Sequence, residues 1–193
     1  ATAAADPQPV AVGASASVDR VIAVVEHTPI WQSELDELLA RAPAQSFDPD
    51  QKREALESLI DNVLIQHTAE MRQLAIAPAQ VDDAIKEVED QNHIDDAGLD
   101  RALAEQHYTR PQYRDEIARQ LRAELVVRTL IAPRISVTDA EVDAELAKNP
   151  SKTPPTDAQR DQVRQGLWQQ KVNKATEAWL VKRKAGAHIE VKL

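Results

Sequence analysis

The last residues of this chain constrain its fold more than any other segment. Ile189, Val191 and Leu193 alternate with His188, Glu190 and Lys192, the period-two pattern of a strand with one face buried. A single strand leaves its backbone donors and acceptors unsatisfied, so this one needs a partner. Other strand signals are few. The run RVIAVV (20–25) is rich in β-branched residues, Pro29-Ile30-Trp31 follows after Glu26-His27-Thr28, and residues 134–137 carry a weaker signal. The first two read as a hairpin, with Pro29, which lacks an N–H, at its edge. The two ends of the chain are therefore expected to meet in one small sheet, with helices filling the space between.

The helix starts are legible. A side-chain oxygen at the N-cap accepts from a free backbone N–H, and a Glu or Gln three residues on reaches back. That pairing occurs at Asp48/Gln51, Thr109/Gln112, Thr138/Glu141 and Thr156/Gln159. Ser33 is expected to cap a helix over 34–41, and Pro49 and Pro78 suit the first helical position. After Asp48, Leu56, Leu59, Ile60, Val63, Leu64, His67, Met71 and Leu74 follow three-and-four spacing, one apolar stripe. Further helices carry Val81, Ile85 and Val88; Leu99 and Leu103, opened by Asp95; and Tyr113, Ile117, Leu121 and Leu125, ending before Pro133. A short one over 138–147 carries Val142 and Leu146, and a long one over 157–185 puts Trp168, Val172, Ala175 and Trp179 on one face. Lys182, Arg183 and Lys184 suit its negative C-terminal end, and Gly186 a left-handed closing position.

Composition agrees with a helical reading. Only 4 of 193 residues are Gly, too few for the tight turns of a sandwich or barrel. With aromatics at 3% the core is aliphatic, and each Trp needs an explanation. The net charge of −9 argues against binding nucleic acid or an anionic membrane surface, both of which call for clustered Lys and Arg. No apolar run approaches the roughly 20 residues needed to span a bilayer. Cysteine is absent, which removes disulfides and thiol chemistry and leaves the compartment open.

Residues 1–17, rich in Ala, Pro and Ser, read as a disordered tail. Ala1 in place of Met fits a mature secreted chain whose signal peptide is gone, and equally a cut in a longer one. The segment NPSKTPP (149–155) reads as a linker, since Pro and Ser do not continue a helix there.

A search for chemistry returns no reaction, metal or cofactor. His27, His67, His93, His107 and His188 are scattered, and none forms the His-Glu pair of a zinc helix. His67, on an apolar stripe, reads as a hydrogen-bonded core histidine. Asp82-Asp83 and Asp95-Asp96 lack the alternating oxygen ligands of a calcium loop, and read as solvated faces or helix N-terminal charges. There is no Gly-rich phosphate loop and no nucleophile-elbow serine. Trp179 reads as core, Trp31 as either exposed or packed at a hairpin-to-helix corner, and Gly166 as a site of close helix packing.

The segment VDRVIAVVEHTPIWQSELDELL (18–39) resembles the N-terminal hairpin and first helix of SurA-type periplasmic chaperones. The resemblance continues through REALESLIDNVLIQHTAEMRQLAIAPAQVDDAIKEVEDQN (53–92) and YTRPQYRDEIARQLRAELVVRTLIAPRISVTDAEV (108–142). The final stretch, RQGLWQQKVNKATEAWLVKRKAGAHIEVKL (164–193), is similar to that family's last helix and closing strand. RISVTDAEV looks like the join that precedes a parvulin-type prolyl isomerase domain, yet between Lys148 and Thr156 there is room only for a short linker. A parvulin domain needs on the order of a hundred residues.

The resemblance implies a mainly α fold: a multi-helix chaperone core with a small antiparallel sheet made by the N-terminal hairpin and the C-terminal strand. The implied organisation is a tail (1–17), a SurA-like helical domain (18–148), a linker in place of the parvulin domain (149–155), and a C-terminal helix and strand (156–193) completing the same core. It implies a periplasmic location, no isomerase activity, and unfolded outer-membrane proteins as clients, held without ATP in an apolar groove. Flexible or aromatic side chains adapt to varied partners, which makes Trp31, Met71, Tyr108 and Tyr113 the candidate client contacts. The competing expectation is a helical adaptor for one dedicated envelope or export partner. The chain is expected as a monomer or as a dimer that exchanges a terminal strand or helix.

Overall fold

The computed structural model describes residues 19–40, 48–106, 108–148 and 154–192. The tail 1–17 and most of the proposed linker 149–155 lie outside these residues. The β-branched run forms β1 (Val21–Val25) and returns as β2 (Thr28–Trp31); β3 (Ile189–Val191) pairs with the other side of β1. Both pairings are antiparallel, in the order β2-β1-β3. The chain ends therefore do meet. Ala23 lies opposite Ile30 on one side and Val191 on the other. A bulge between Val21 and Ala23 breaks the inward-outward alternation, so that Ile22 and Ala23, though adjacent, are both 0% exposed. Pro29 occupies the edge strand, as its missing donor requires. At the hairpin Glu26 adopts a left-handed conformation (φ 56°), and its N–H donates to the His188 carbonyl at 2.7 Å, tying the turn to the far end of the chain.

The helices are α1 (Gln32–Ala40), α2 (Pro49–Met71), α3 (Pro78–Asn92), α4 (Asp96–Glu105), α5 (Arg110–Val126), α6 (Asp139–Ala147) and α7 (Asp157–Gly186). All four expected capping boxes are present; at α2 the Gln51 N–H donates to Asp48 Oδ1 at 2.8 Å and the Asp48 N–H to Gln51 Oε1 at 3.0 Å. Ser33 is not the cap of α1. It lies inside the helix, and its N–H and hydroxyl donate to Asp19, which reaches in from before β1, at 3.2 and 2.5 Å. Hydrogen bonding with Ser33 holds the Asp19 carboxyl below its usual range.

Among the described residues, the hairpin and helices build two distinct hydrophobic cores, besides a smaller buried group beyond α5. The first joins Ile22, Ala23, Val25 and Ile30 of the hairpin to Leu35 of α1 and Leu56, Ile60 and Leu64 of α2, with Ile189 of β3 at its margin. The second joins Val81 and Ile85 of α3, Leu99 and Leu103 of α4 and Ile117 of α5. Helices α2 and α5 link the two, and Gln66 secures the crossing: it donates to the Arg119 carbonyl at 3.2 Å and accepts from Arg122 at 2.5 Å. Beyond α5, Val126, Ile131, Val142 and Val172 are buried where α6 and α7 fold back. That return is held by Arg160–Asp143, Arg164–Asp139 and Lys171–Glu141, each at 2.7 Å.

Several expectations need correction. The stripe on α2 is graded: its i, i+4 row Leu56, Ile60, Leu64 and Thr68 is buried, Leu59 and Val63 are half-buried and pack against the same core, while Met71 is exposed and Leu74 falls past the helix end. The α-helix α5 does end before Pro133, at Val126, but the chain stays coiled beyond it. It widens into a π-turn over Val127–Ile131, closed by the Ala132 N–H on the Val127 carbonyl, and a 3-10 turn, Ala132–Arg134, contains the proline. Residues 135–138 form no strand; the Ser136 carbonyl instead accepts from Lys171 Nζ at 2.7 Å. Gly186 ends α7 in a right-handed conformation, because the chain passes straight into β3 through the extended Ala187 (φ −98°, ψ 149°). A Cβ on Gly166 would meet nothing within 4 Å, so no close helix contact explains that glycine.

Candidate functional site

Two clefts flank the buried row of α2. The larger, of about 730 Å³, has Ile65 of α2 on one wall, Ala123, Val127 and Ala132 from the end of α5 and the turns after it on a second, and Trp168, Val172 and Thr176 of α7 on a third. Its surface is mainly carbon, with Glu124, Arg128, Gln169, Asn173 and Glu177 among the residues around it. Trp168, Val172 and Thr176 are spaced four residues apart and so lie on one face of α7. The Thr176 hydroxyl donates to the Val172 carbonyl at 2.9 Å, which satisfies its polar group within the helix. Trp168 is 36% exposed, so an aromatic surface stands open at the cleft. The π-turn places one extra residue in the wall opposite, and such turns are frequent at functional sites.

The smaller cleft, of about 320 Å³, lies between β2, α1, α2 and α5. Ile30, Leu38, Leu59 and Val63 supply its apolar lining, and Glu34, Glu37, Glu70, Glu116 and Arg119 its charges. His67 lines it as well. It is not the hydrogen-bonded core residue expected: it is half-buried, and its Nδ1 is shielded from solvent with no hydrogen-bond partner.

The four expected client contacts line neither cleft. Trp31, at the end of the edge strand, is 38% exposed, and its backbone N–H donates to Glu34 Oε2 at 2.8 Å. Met71, the last residue of α2, is 71% exposed. Tyr108 and Tyr113 are brought together at the margin of the second core, both half-buried. Burial, with the Glu89 carboxylate nearby, raises the Tyr113 hydroxyl pKa and keeps that group neutral. Trp179 is half-buried rather than fully in the core. Sequence reasoning missed Trp168 as a cleft residue. Its spacing with Val172 was visible, but the same spacing fits a packed face, and only the course of α5 and α7 leaves the indole uncovered.

Beside the tyrosines, Arg110 ties three helices. Its guanidinium pairs with Asp96 and Asp100, both at 2.8 Å, and approaches Glu89 at 3.9 Å. Arg110 holds the Asp96 carboxyl below its usual range, while burial, and a hydrogen bond with Asp96, push Glu89 up. Asp82 pairs with Arg114, and Asp95 caps α4, so both acidic doublets have structural partners. Among the described residues no group of three or more His, Cys, Asp or Glu is placed to hold a metal, and no helix is long and apolar enough to cross a membrane.

The family model described as SurA N-terminal domain matches residues 18–131. The chain belongs to this family. Curated SurA-family relatives include the Chaperone SurA of Chromobacterium violaceum, 33% identical over 138 residues, or 67% of this chain and 32% of the relative. The Chaperone SurA of Nitrosospira multiformis is 28% identical over 135 residues, 66% of this chain and 31% of the relative. The chain thus spans about a third of the length of these relatives. A solved structure from a study of PEB4 and Cj1289, described as two structurally related SurA-like chaperones of Campylobacter jejuni, shares the fold: TM-score 0.65, 12% identity, 89% of this chain and 98% of that one. The SurA N-terminal match ends at the π-turn, so α7, which supplies the Trp168 wall, lies beyond it.

Proposed function

We propose that this protein is an ATP-independent periplasmic chaperone, a holdase that binds unfolded outer-membrane protein precursors in the cleft lined by Trp168. The observation that carries this reading is the open, mainly apolar cleft between α2, α5 and α7 with an aromatic side chain at its mouth. Membership of the SurA N-terminal domain family supports it. Unfolded barrel strands alternate apolar and polar residues and expose stretches prone to aggregation. A cleft of this size takes one or two apolar side chains at a time, which gives weak binding to many sequences and release without a nucleotide. The acidic surface keeps the loaded chaperone soluble.

In this reading residues 18–148 and 156–193 close one body, 149–155 serve as a linker, and the protein acts by holding rather than by catalysis. Trp31 and Met71, both exposed, extend the contact surface, and Tyr108 and Tyr113 offer the edges they do not bury.

The test is aggregation of a urea-unfolded barrel protein on dilution without ATP. Substoichiometric to equimolar protein is expected to suppress light scattering, and Trp168→Ala to weaken suppression severalfold. Failure of the wild-type protein at several-fold excess overturns the reading. Tight binding to one folded partner, with no affinity for unfolded chains, would replace it with an adaptor.

A further inference from the structure

We propose that the outer edge of β3 pairs with the same edge of a second copy of this chain, joining two three-stranded sheets into one of six. The Glu26 N–H donates to the His188 carbonyl and the Lys192 N–H to the Ile22 carbonyl, both at 2.7 Å, so the backbone groups of His188, Glu190 and Lys192 face β1. Successive residues of a strand turn their N–H and C=O groups to opposite sides, and those of Ile189 and Val191 therefore point away from β1. Among the described residues no strand lies beyond β3. The other edge of the sheet is blunted, because Pro29 of β2 has no donor to offer there. The β3 edge has no such block, and Val191 on it is 52% exposed.

The side chains select the partner. Val191 stands between Glu190 and Lys192. An antiparallel copy, related by a twofold axis through Val191, sets Val191 against Val191, Glu190 against the partner's Lys192 and Lys192 against the partner's Glu190. Two exposed β-branched side chains then meet on one face, and two pairs of opposite charge form on the other. The order acid–apolar–base reads the same with signs reversed from either end, so this strand is its own antiparallel complement. Within one copy Glu190 already lies 3.1 Å from His188 and 3.7 Å from Lys192, but all three side chains are more than half exposed, which leaves the carboxylate open to a second cation. Each copy keeps its own β3, so nothing is exchanged. The joined copies carry two Trp168 clefts, and an unfolded chain long enough to reach both is held more tightly than by one. That consequence rests on the client reading above; the pairing itself does not.

Sedimentation equilibrium of the full chain without client tests the pairing. The concentrations should bracket a dissociation constant on the order of 100 µM, the weakness expected of an interface well below standard size. Glu190→Lys sets Lys against Lys in both cross-strand pairs, and Lys192→Glu sets Glu against Glu. Each is expected to weaken self-association about tenfold. An equimolar mixture of the two variants is expected to restore it, since both pairs across the mixed dimer are again opposite in charge. Val191→Pro takes away only the outward donor, so it should abolish association and keep the thermal midpoint. A monomer at every concentration, variants that associate as the wild type does, or a mixture no tighter than either variant alone overturns the proposal. Loss of client binding in Val191→Pro with self-association intact would give the edge to the client strand and overturn it as well. Failure of the chaperone reading shows separately, as absent aggregation suppression.

Discussion

The core around β1 buries residues from Ile22 to Leu64 and takes Ile189 of β3 at its margin, so it is completed only when the two ends of the chain have met. The core of α3, α4 and α5 uses only residues 76–121, a contiguous stretch of helix and turn. Both bury aliphatic side chains, yet they differ in what ordering them requires. Each buries its central residues within one stretch, but the sheet core is also edged by a three-residue strand, β3, whose pairing closes nearly the whole chain. The second unit is held mainly by contacts local in the chain, with α5 also packed along α2. The first couples the stability of the hairpin to the seating of α7, and the Trp168 cleft lies where α7 meets α2 and α5. Its integrity therefore depends on the long-range closure.

The largest test of this contrast is a pair of core truncations. Leu64→Ala in the first core and Leu103→Ala in the second each remove a buried leucine, a change that costs about 2–5 kcal/mol. Hydrogen exchange is expected to show lost protection in β1, β3, α1 and α2 for Leu64→Ala, with α3 to α5 still protected. For Leu103→Ala the loss should stay within α3 to α5. Identical patterns would mean that the two cores unfold as one unit.

A smaller effect comes from pH. The Glu141 carboxyl, bonded first to Lys171 and also to Thr138, is lowered from 4.5 to about 2. A lowered carboxyl pKa contributes stability that is present above the unfolded value and lost as pH falls through the folded one. The α6–α7 contact should therefore weaken between about pH 4.5 and 2, and Lys171→Met should reduce that part of the acid sensitivity, leaving the share that comes from the Thr138 hydrogen bonds. In the second core Asp96 is lowered, but Glu89 is raised and contributes in the opposite sense. Its acid response should be shallower, read as amide protection in α3 and α4 across the same range.

The smallest expected change is at a cap. Thr109→Ala removes the side chain that accepts the Gln112 N–H at the start of α5, at a cost of about 1 kcal/mol. Thermal unfolding should drop by a few degrees, with fraying confined to the first turn of α5.

Much of the fold was legible because it is written in local chemistry. The four capping boxes, Pro49 and Pro78 at helix starts and Pro29 at a sheet edge each follow from one residue's donors and acceptors. The meeting of the ends followed from a strand that needed a partner. The misreadings arose where the deciding contact is distant. Asp19 displaces Ser33 from its capping role, Lys171 takes the Ser136 carbonyl, and the direct passage into β3 removes any need for a left-handed Gly186. The site was the least legible part. Trp168 and Val172 carry the same spacing as a core stripe, and the indole is left open only because the π-turn after α5 and the path of α7 keep the walls apart.

The most direct measurement of the central claim is photocrosslinking to an unfolded outer-membrane protein from a photoreactive residue placed at Gln169, in the Trp168 cleft, or at Asp83, on the outer face of α3. Crosslinks are predicted from position 169 and not from position 83, and they should be competed by excess unfolded protein but not by the folded barrel. Equal crosslinking from both positions, or none from position 169, would contradict the assignment of that cleft as the client site.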